Sequence, residues 1–395
     1  MVESENSGGP LSGLTVIDLT RALAGPHAGM ILGDLGARVI KVEAPGTGDD
    51  TRGWGPPFVG EGDASESTYF LSCNRNKESI ALNLKDGDDR AVLTRMLETA
   101  DVLLENFRPG TLDRLGFGPR RLSEINPKLI PVSISGFGHD GPEGTRAGYD
   151  QIAQGEAGIM SLTGSGPNDP QRVGVPIGDL LAGIYAVVGV LAALVERGAS
   201  GAVNTVRTSL LASLVGVHAF EGTRWTVAKQ VGAAAGNHHP SIAPYGLFRC
   251  GGNGAVQISV GSESLWHKFC AGFGLDANDS RFATNADRVS NRAELLPIIE
   301  DRFAQFEADA LLARLAELGI PAGRVRSIDE VYEWEQTRSQ GLLIDVAHES
   351  LGEITLPGPT VRFFDAAENE KTRTFHSAPP RLNQHGDSLR REFAA

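Results

Sequence analysis

The sequence predicts an α/β protein with a parallel sheet and a smaller second domain, and three observations carry that reading. The opening residues alternate a short apolar run, a helix-type stretch and a second apolar run. That is a βαβ unit, whose crossover is right-handed and whose strands are parallel. At 395 residues, the chain exceeds the size at which one hydrophobic core stops growing, so two lobes are expected. Its 49 glycines indicate many tight turns and close backbone approaches.

In chain order, residues 14–19 (LTVIDL) read as the first strand, 25–35 as a helix and 39–43 (VIKVE) as the second strand. The loop 44–52 follows it. Residues 79–84 give another strand, 87–100 a helix, 102–107 a strand and 129–135 a buried strand. Asn106, Phe107, Arg108, Pro109 and Gly110 fall at a strand's C-terminal end, where open α/β sheets place ligands. Gly136, Gly138 and Gly141 formally match GxGxxG, but Pro142, Gly144 and Gly148 allow no long helix after them. A turn lined by backbone N–H groups is expected there, not a dinucleotide site. The character changes near residue 219. Residues 255–260 read as a strand, while 263–273, 292–306 and 308–318 read as helices with Gly319 as a stop. Residues 354–364 return to extended structure.

Within this frame, residues 172–197 (RVGVPIGDLLAGIYAVVGVLAALVER) stand out. Leu180 to Val195 is 16 residues without a charge or a proline. A helix apolar on every side is expected to be buried, and the run is short for a membrane span of about 20 residues. Asp179 stands at or beside its start. An aspartate there is either an N-cap or, if partly desolvated, a carboxylate able to act as a nucleophile toward an acyl group.

Composition narrows the function. Hydrophobic content of 41% and charged content of 22% are ordinary for a globular protein. The net charge of −13 and the lack of a basic block argue against nucleic acid. An anionic ligand must therefore be met by local Arg and Lys. Cys73, Cys250 and Cys270 are isolated thiols, so neither a disulfide framework nor a zinc site is expected. The start MVESENSGGPLSG is polar, which points to a cytoplasmic protein. No phosphate loop, nucleophile elbow, HExxH or EF-hand is present.

Taken together, LSGLTVIDLTRALAGPHAGMILGDLGARVIKVE, NRNKESIALNLK, ENFRPGTLDRLGF, SISGFG, RAGYDQIAQGEAGIMSLTG, VGVPIGDLLAG, GNHHPSIAPYGLF and LGIPAGRV resemble the class III CoA-transferase family. That family includes 2-methylacyl-CoA racemases, and the resemblance covers about residues 11 to 390. It implies a Rossmann-like large domain with a parallel sheet built from both chain ends, a smaller α+β domain and an interlocked homodimer. The boundaries it suggests are 10–220 for the large domain, 221–325 for the small one and 326–395 for the returning segment. It places the catalytic aspartate on Asp179 and an implicated acid on Asp150, for which a helix N-cap is the other reading. The coenzyme A thioester, a substrate with no permanently bound cofactor or metal, would be met by Leu82, Lys85, Asn106, Phe107, Arg108, Arg114, Gly136, Gly138 and Arg146. Arginine suits phosphate through its forked donors, although Arg108 and Arg114 also suit a solvated face.

Departures bear on the substrate. Leu23 stands where the formyl-CoA transferase branch has Gln, Ala44 stands where that branch has Arg, and GNHHPS replaces its glycine run. An oxalate–formate specialist is thus not expected. The resemblance implies CoA transfer between an acyl-CoA and a small carboxylic acid through an aspartyl anhydride and an aspartyl thioester. Its alternatives are racemisation at Cα and a CoA-binding protein without activity. Neither nucleic acid nor membrane is an expected partner. Tyr149 stands where the racemase branch has His, and its reference pKa of about 10 makes it a poor base.

Overall fold

The computed structural model describes residues 8–62 and 65–394. The chain divides into two compact units. One holds residues up to 159, 173–228 and everything from 335; the other holds 160–172 and 229–334.

The first unit is built on six parallel strands: β1 (Thr15–Asp18), β2 (Arg38–Glu43), β3 (Lys77–Ala81), β4 (Val102–Glu105), β5 (Ile130–Ser135) and β6 (Val206–Ser209). Their order is β3-β2-β1-β4-β5-β6, so the winding reverses between β1 and β4. In register, Val16 lies beside Val39 and Val102, and Ile17 beside Ile40 and Leu103. The valines enter one apolar core and Ile17, Ile40 and Leu103 the other. Burial on both faces explains why these strands read as continuous apolar runs rather than alternating ones.

Helices cover both faces. α1 (Ala24–Asp34) follows β1, and α2 (Gly87–Thr99) follows β3. The Asp86 carboxylate caps α2 by accepting from the N–H groups of Asp88 and Asp89, and its Val92, Leu93, Met96 and Leu97 form the buried stripe. Next come α3 (Asp150–Glu156) and the long α4 (Ile177–Ser200). α4 lies against α1 closely enough that a Cβ on Gly183 would sit 2.6 Å from the Ala24 carbonyl oxygen. Only glycine permits that approach.

Two expectations are corrected here. The helix apolar on every side is buried on one face only: Ala182, Ala186 and Val190 are covered, whereas Val188 is 55% and Val195 73% exposed. Nor is the sheet built from both chain ends, because all six strands lie between residues 15 and 209. The C-terminal segment instead guards the β3 edge with side chains. Asn383 Oδ1 accepts from the Ala81 N–H at 2.8 Å and His385 Nδ1 from the Ser79 N–H at 3.1 Å. A closing helix, Gly386–Glu392, then sinks Leu389 into the second core. Covering an edge this way satisfies its donors without adding a strand. The extended return itself is the hairpin Leu343–His348 with Gly352–Pro357.

The second unit carries a three-stranded antiparallel sheet of Tyr245–Arg249, Ala255–Ser259 and Ala322–Gly323. Helices Glu263–Phe273, Arg292–Phe303 and Ala308–Glu317 close an aromatic core around Phe248, Trp266, Phe269 and Phe303.

Candidate active site

The reversal of winding between β1 and β4 leaves a crevice at their C-terminal ends, where the loops depart in opposite directions. The two loops are clasped to one another. Asn106 Oδ1 accepts from the Arg21 N–H at 2.9 Å, and Asn106 Nδ2 donates to the Arg21 carbonyl at 2.7 Å. Two cavities open beside this clasp and share Arg21 and Phe107 as a common wall. One, of about 300 Å³, is lined by Leu82, Lys85, Val42 and Pro45. The other, of about 210 Å³, is lined by Asn106, Arg108, Gly136, Arg146, Tyr149 and Asp179.

Asp179 is the third residue of α4, after Pro176 at the cap position, so it is not the N-cap. The capping is done from elsewhere. Asp150 Oδ1 accepts from the Gly178 N–H at 2.7 Å, and its Oδ2 from Gln154 Nε2, also at 2.7 Å. Asp150 is the first residue of α3 and does not cap its own helix by its side chain. With both oxygens engaged, this buried carboxylate holds the α4 terminus in place. Asp179, by contrast, has no hydrogen bond or ion pair among the described residues. Burial, joined by the nearby Asp150 charge, pushes its carboxyl up from 3.8 to about 7. Both effects act against the helix dipole, which would favour the anion. Tyr69 senses the same charge: burial and Asp179 push its phenol up to about 12. Its ring packs edge-on against Trp54, with centroids 5.1 Å apart.

The crevice floor is ionic and buried. Lys41 Nζ pairs with Asp49 Oδ2 at 2.8 Å and donates to the Thr20 carbonyl at 2.9 Å. Asp49 Oδ1 accepts from the Thr51 N–H at 3.0 Å and from the Ala22 N–H at 3.2 Å. Ala22 has φ +66°, a conformation rare for a residue with a Cβ. Lys77 Nζ, paired with Asp18 at 2.9 Å, also donates to the Pro26 carbonyl. Burial opposes the Lys41 charge, but Asp18 and Asp49 outweigh it and raise its pKa. These bonds hold the β1–α1 loop and the loop after β2 in one arrangement.

Similarity to known proteins identifies the family. The CoA-transferase family III pattern matches residues 11–386. The chain belongs to that family. Among its relatives, human succinyl-CoA:glutarate CoA-transferase is 38% identical over 385 residues, spanning 97% of this chain and 86% of its own. Acetyl-CoA:oxalate CoA-transferase of Acetobacter aceti is 38% identical over 392 residues, spanning 98% and 96%. A crystal structure of a CAIB/BAIF family protein from Brucella suis, 38% identical, superposes with a TM-score of 0.85 over 98% of this chain and 100% of that one.

For this CoA-transferase family III member, the expected contacts divide by position. Leu82, Lys85 and Phe107 line the larger cavity; Asn106, Phe107, Arg108, Gly136 and Arg146 line the one holding Asp179. Arg114 lines neither cavity and donates to Thr111 Oγ1 at 2.8 Å. Gly138, at φ +116°, shapes the turn after β5 without lining either. Arg146 is already paired with Glu156 and, at 3.5 Å, with Glu143. Lys85 and Arg108 have no ion pair among the described residues, so their charges are not engaged by a carboxylate there. Among those residues, no His, Cys, Asp or Glu group is arranged to hold a metal.

Arg21, Lys41, Asp49 and Tyr69 are not among the site residues that the sequence points to. Lys41 and Glu43 did leave a signal, since two charges inside an otherwise apolar parallel strand need buried partners. Nothing local marked Tyr69.

Proposed function

We propose that this enzyme moves CoA from an acyl-CoA to a small carboxylic acid, with Asp179 as the covalent carrier. One observation carries the reading: a carboxylate without a hydrogen-bond or ion-pair partner among the described residues, its pKa raised to about 7, on the wall of a cavity at the sheet's switch point. A carboxylate stripped of hydrogen-bond donors is a better nucleophile than a solvated one. Asp179 attacks the thioester carbonyl, forming a mixed anhydride and releasing CoA thiolate. The thiolate attacks the Asp179 carbonyl and expels the first acid, leaving an aspartyl thioester. The incoming carboxylate attacks that thioester, and CoA returns by the reverse sequence. Each step exchanges one acyl bond for another and needs no net proton.

Phosphate groups of CoA are assigned to Lys85 and Arg108, and the nucleotide end to the larger cavity, with the pantetheine arm passing Phe107 toward Asp179. N–H groups in the turn around Gly136 suit the oxyanion of the tetrahedral intermediates. The relatives named above act on succinyl-, glutaryl-, acetyl- or oxalyl-type acids by their names, which supports a small acid as the acceptor. Asp150 is assigned a positioning role. The uncovered apolar face of α4, with Ile184, Tyr185, Val188 and Val195, supports a second copy of this chain as its cover.

The test is chemical. With an acyl-CoA donor present, hydroxylamine or borohydride is expected to modify Asp179, and Asp179→Ala to abolish exchange. Rapid enzyme-dependent deuterium entry at Cα of a 2-methylacyl-CoA, with Asp179 unmodified, would overturn the reading in favour of racemisation. A fully active monomer by light scattering would refute the dimer.

A further inference from the structure

Glu105, Ser133 and His139 form a chain of contacts that the proposed reaction does not use. Glu105 ends β4, Ser133 lies on β5, and His139 follows in the turn after β5. Glu105 Oε2 accepts from the Phe107 N–H at 2.9 Å. Its Oε1 is hydrogen-bonded to Ser133 Oγ, and Ser133 Oγ stands 2.7 Å from His139 Nε2. All three side chains line a separate cavity of about 280 Å³, with Arg207, and none lines the cavity that holds Asp179.

What they join does line it. Phe107 and Arg108 come from the loop after β4; Gly136, Arg146 and Tyr149 come from the segment after β5. We infer that Glu105, acting through Ser133 and His139, is a positioning residue that locks these two loops together and so sets the affinity for acyl-CoA. The inference rests on the CoA reading of that cavity. Hydrogen bonds are complete along this relay. Ser133 Oγ donates to Glu105 Oε1 and, with His139 in its Nε2–H tautomer, accepts from His139, while Oε2 accepts from the Phe107 N–H. Burial pushes the Glu105 carboxyl up and the His139 imidazole down. A glutamine at 105 keeps both contacts with the donor order reversed: its amide N–H donates to Ser133 Oγ, which then donates to His139 Nε2, and its carbonyl accepts from the Phe107 N–H. An alanine supplies neither bond and leaves the Phe107 N–H without its partner.

The experiment is steady-state kinetics on full-length Glu105→Ala, Glu105→Gln and Ser133→Ala, with Asp179→Asn run in parallel. Glu105→Ala is expected to raise the acyl-CoA KM about tenfold, with kcat lowered less than about threefold and the acid KM not raised. Glu105→Gln is expected to recover most of that loss. Ser133→Ala is expected to raise the KM by a smaller factor, because Glu105 keeps its bond to Phe107. Adding it to Glu105→Ala should change little further, as for members of one unit. Should Glu105→Ala fail to fold, the comparison of Glu105→Gln with Ser133→Ala decides: a glutamine variant as impaired as Ser133→Ala refutes the relay. So does a series that leaves the acyl-CoA KM flat, or one that lowers kcat while KM holds. Exchange surviving in Asp179→Asn would fault the reading of the active site itself; loss of exchange there with a flat Glu105 series faults only the relay.

Discussion

Replacing Asp179 by Asn should abolish exchange and at the same time make the protein more stable, in a pH-dependent way. The carboxyl sits at about 7 in the folded chain against 3.8 unperturbed. Between those values the folded chain keeps a proton that the unfolded chain has released. Stability therefore falls as pH rises from 3.8 to about 7 and stays at the lower level above. Three pKa units correspond to a ceiling of about 4 kcal/mol. Asp179 is only half-buried, and water reaching one side reduces that to about 1–2 kcal/mol. Asparagine fills the same space without a charge to desolvate, so it escapes this cost. Thermal unfolding at pH 8 should put the variant's Tm about 1–3 °C above that of the parent, with the gain mostly gone at pH 4. An equal gain at both pH values would mean packing, not charge, is responsible. No gain at pH 8 would mean that Asp179 is solvated in the free enzyme and that its reactivity comes from the bound substrate alone.

Other substitutions probe the surroundings. Arg108→Ala should weaken acyl-CoA binding by about 1.5–3 kcal/mol while kcat stays within a few-fold, and normal binding would return Arg108 to the solvated surface. Asp150→Asn removes the charge that helps to raise Asp179, so the acidic limb of the kcat/KM profile should move to lower pH; a limb that stays put would leave burial as the whole cause. Lys41→Met strands the buried Asp49 carboxylate and should cost about 3–5 kcal/mol in urea unfolding. A loss below about 1 kcal/mol would show that the buried pair contributes little to holding the loops.

Local pattern was enough to read the α/β class, the parallel strands and most helices, because apolar runs, caps and stops are recorded residue by residue. It also singled out Asp179, since a lone carboxylate before 16 uncharged residues is visible without any fold. Family resemblance added Lys85, Asn106 and Arg108 as expected contacts, and these residues line two adjoining cavities. What only the tertiary structure decided depends on residues far apart in sequence. Asp150 reaches across 28 positions to cap α4, so neither aspartate takes the local cap role that its own helix suggested. α4 is apolar on every side, yet only the face toward α1 and the sheet is covered, since composition records hydrophobicity but not what packs against it. The C-terminal segment likewise guards the β3 edge with Asn383 and His385, more than 300 residues from their partners. Hydrogen-bond partners at that separation leave no periodic trace, because the folded backbone alone brings donor and acceptor within reach.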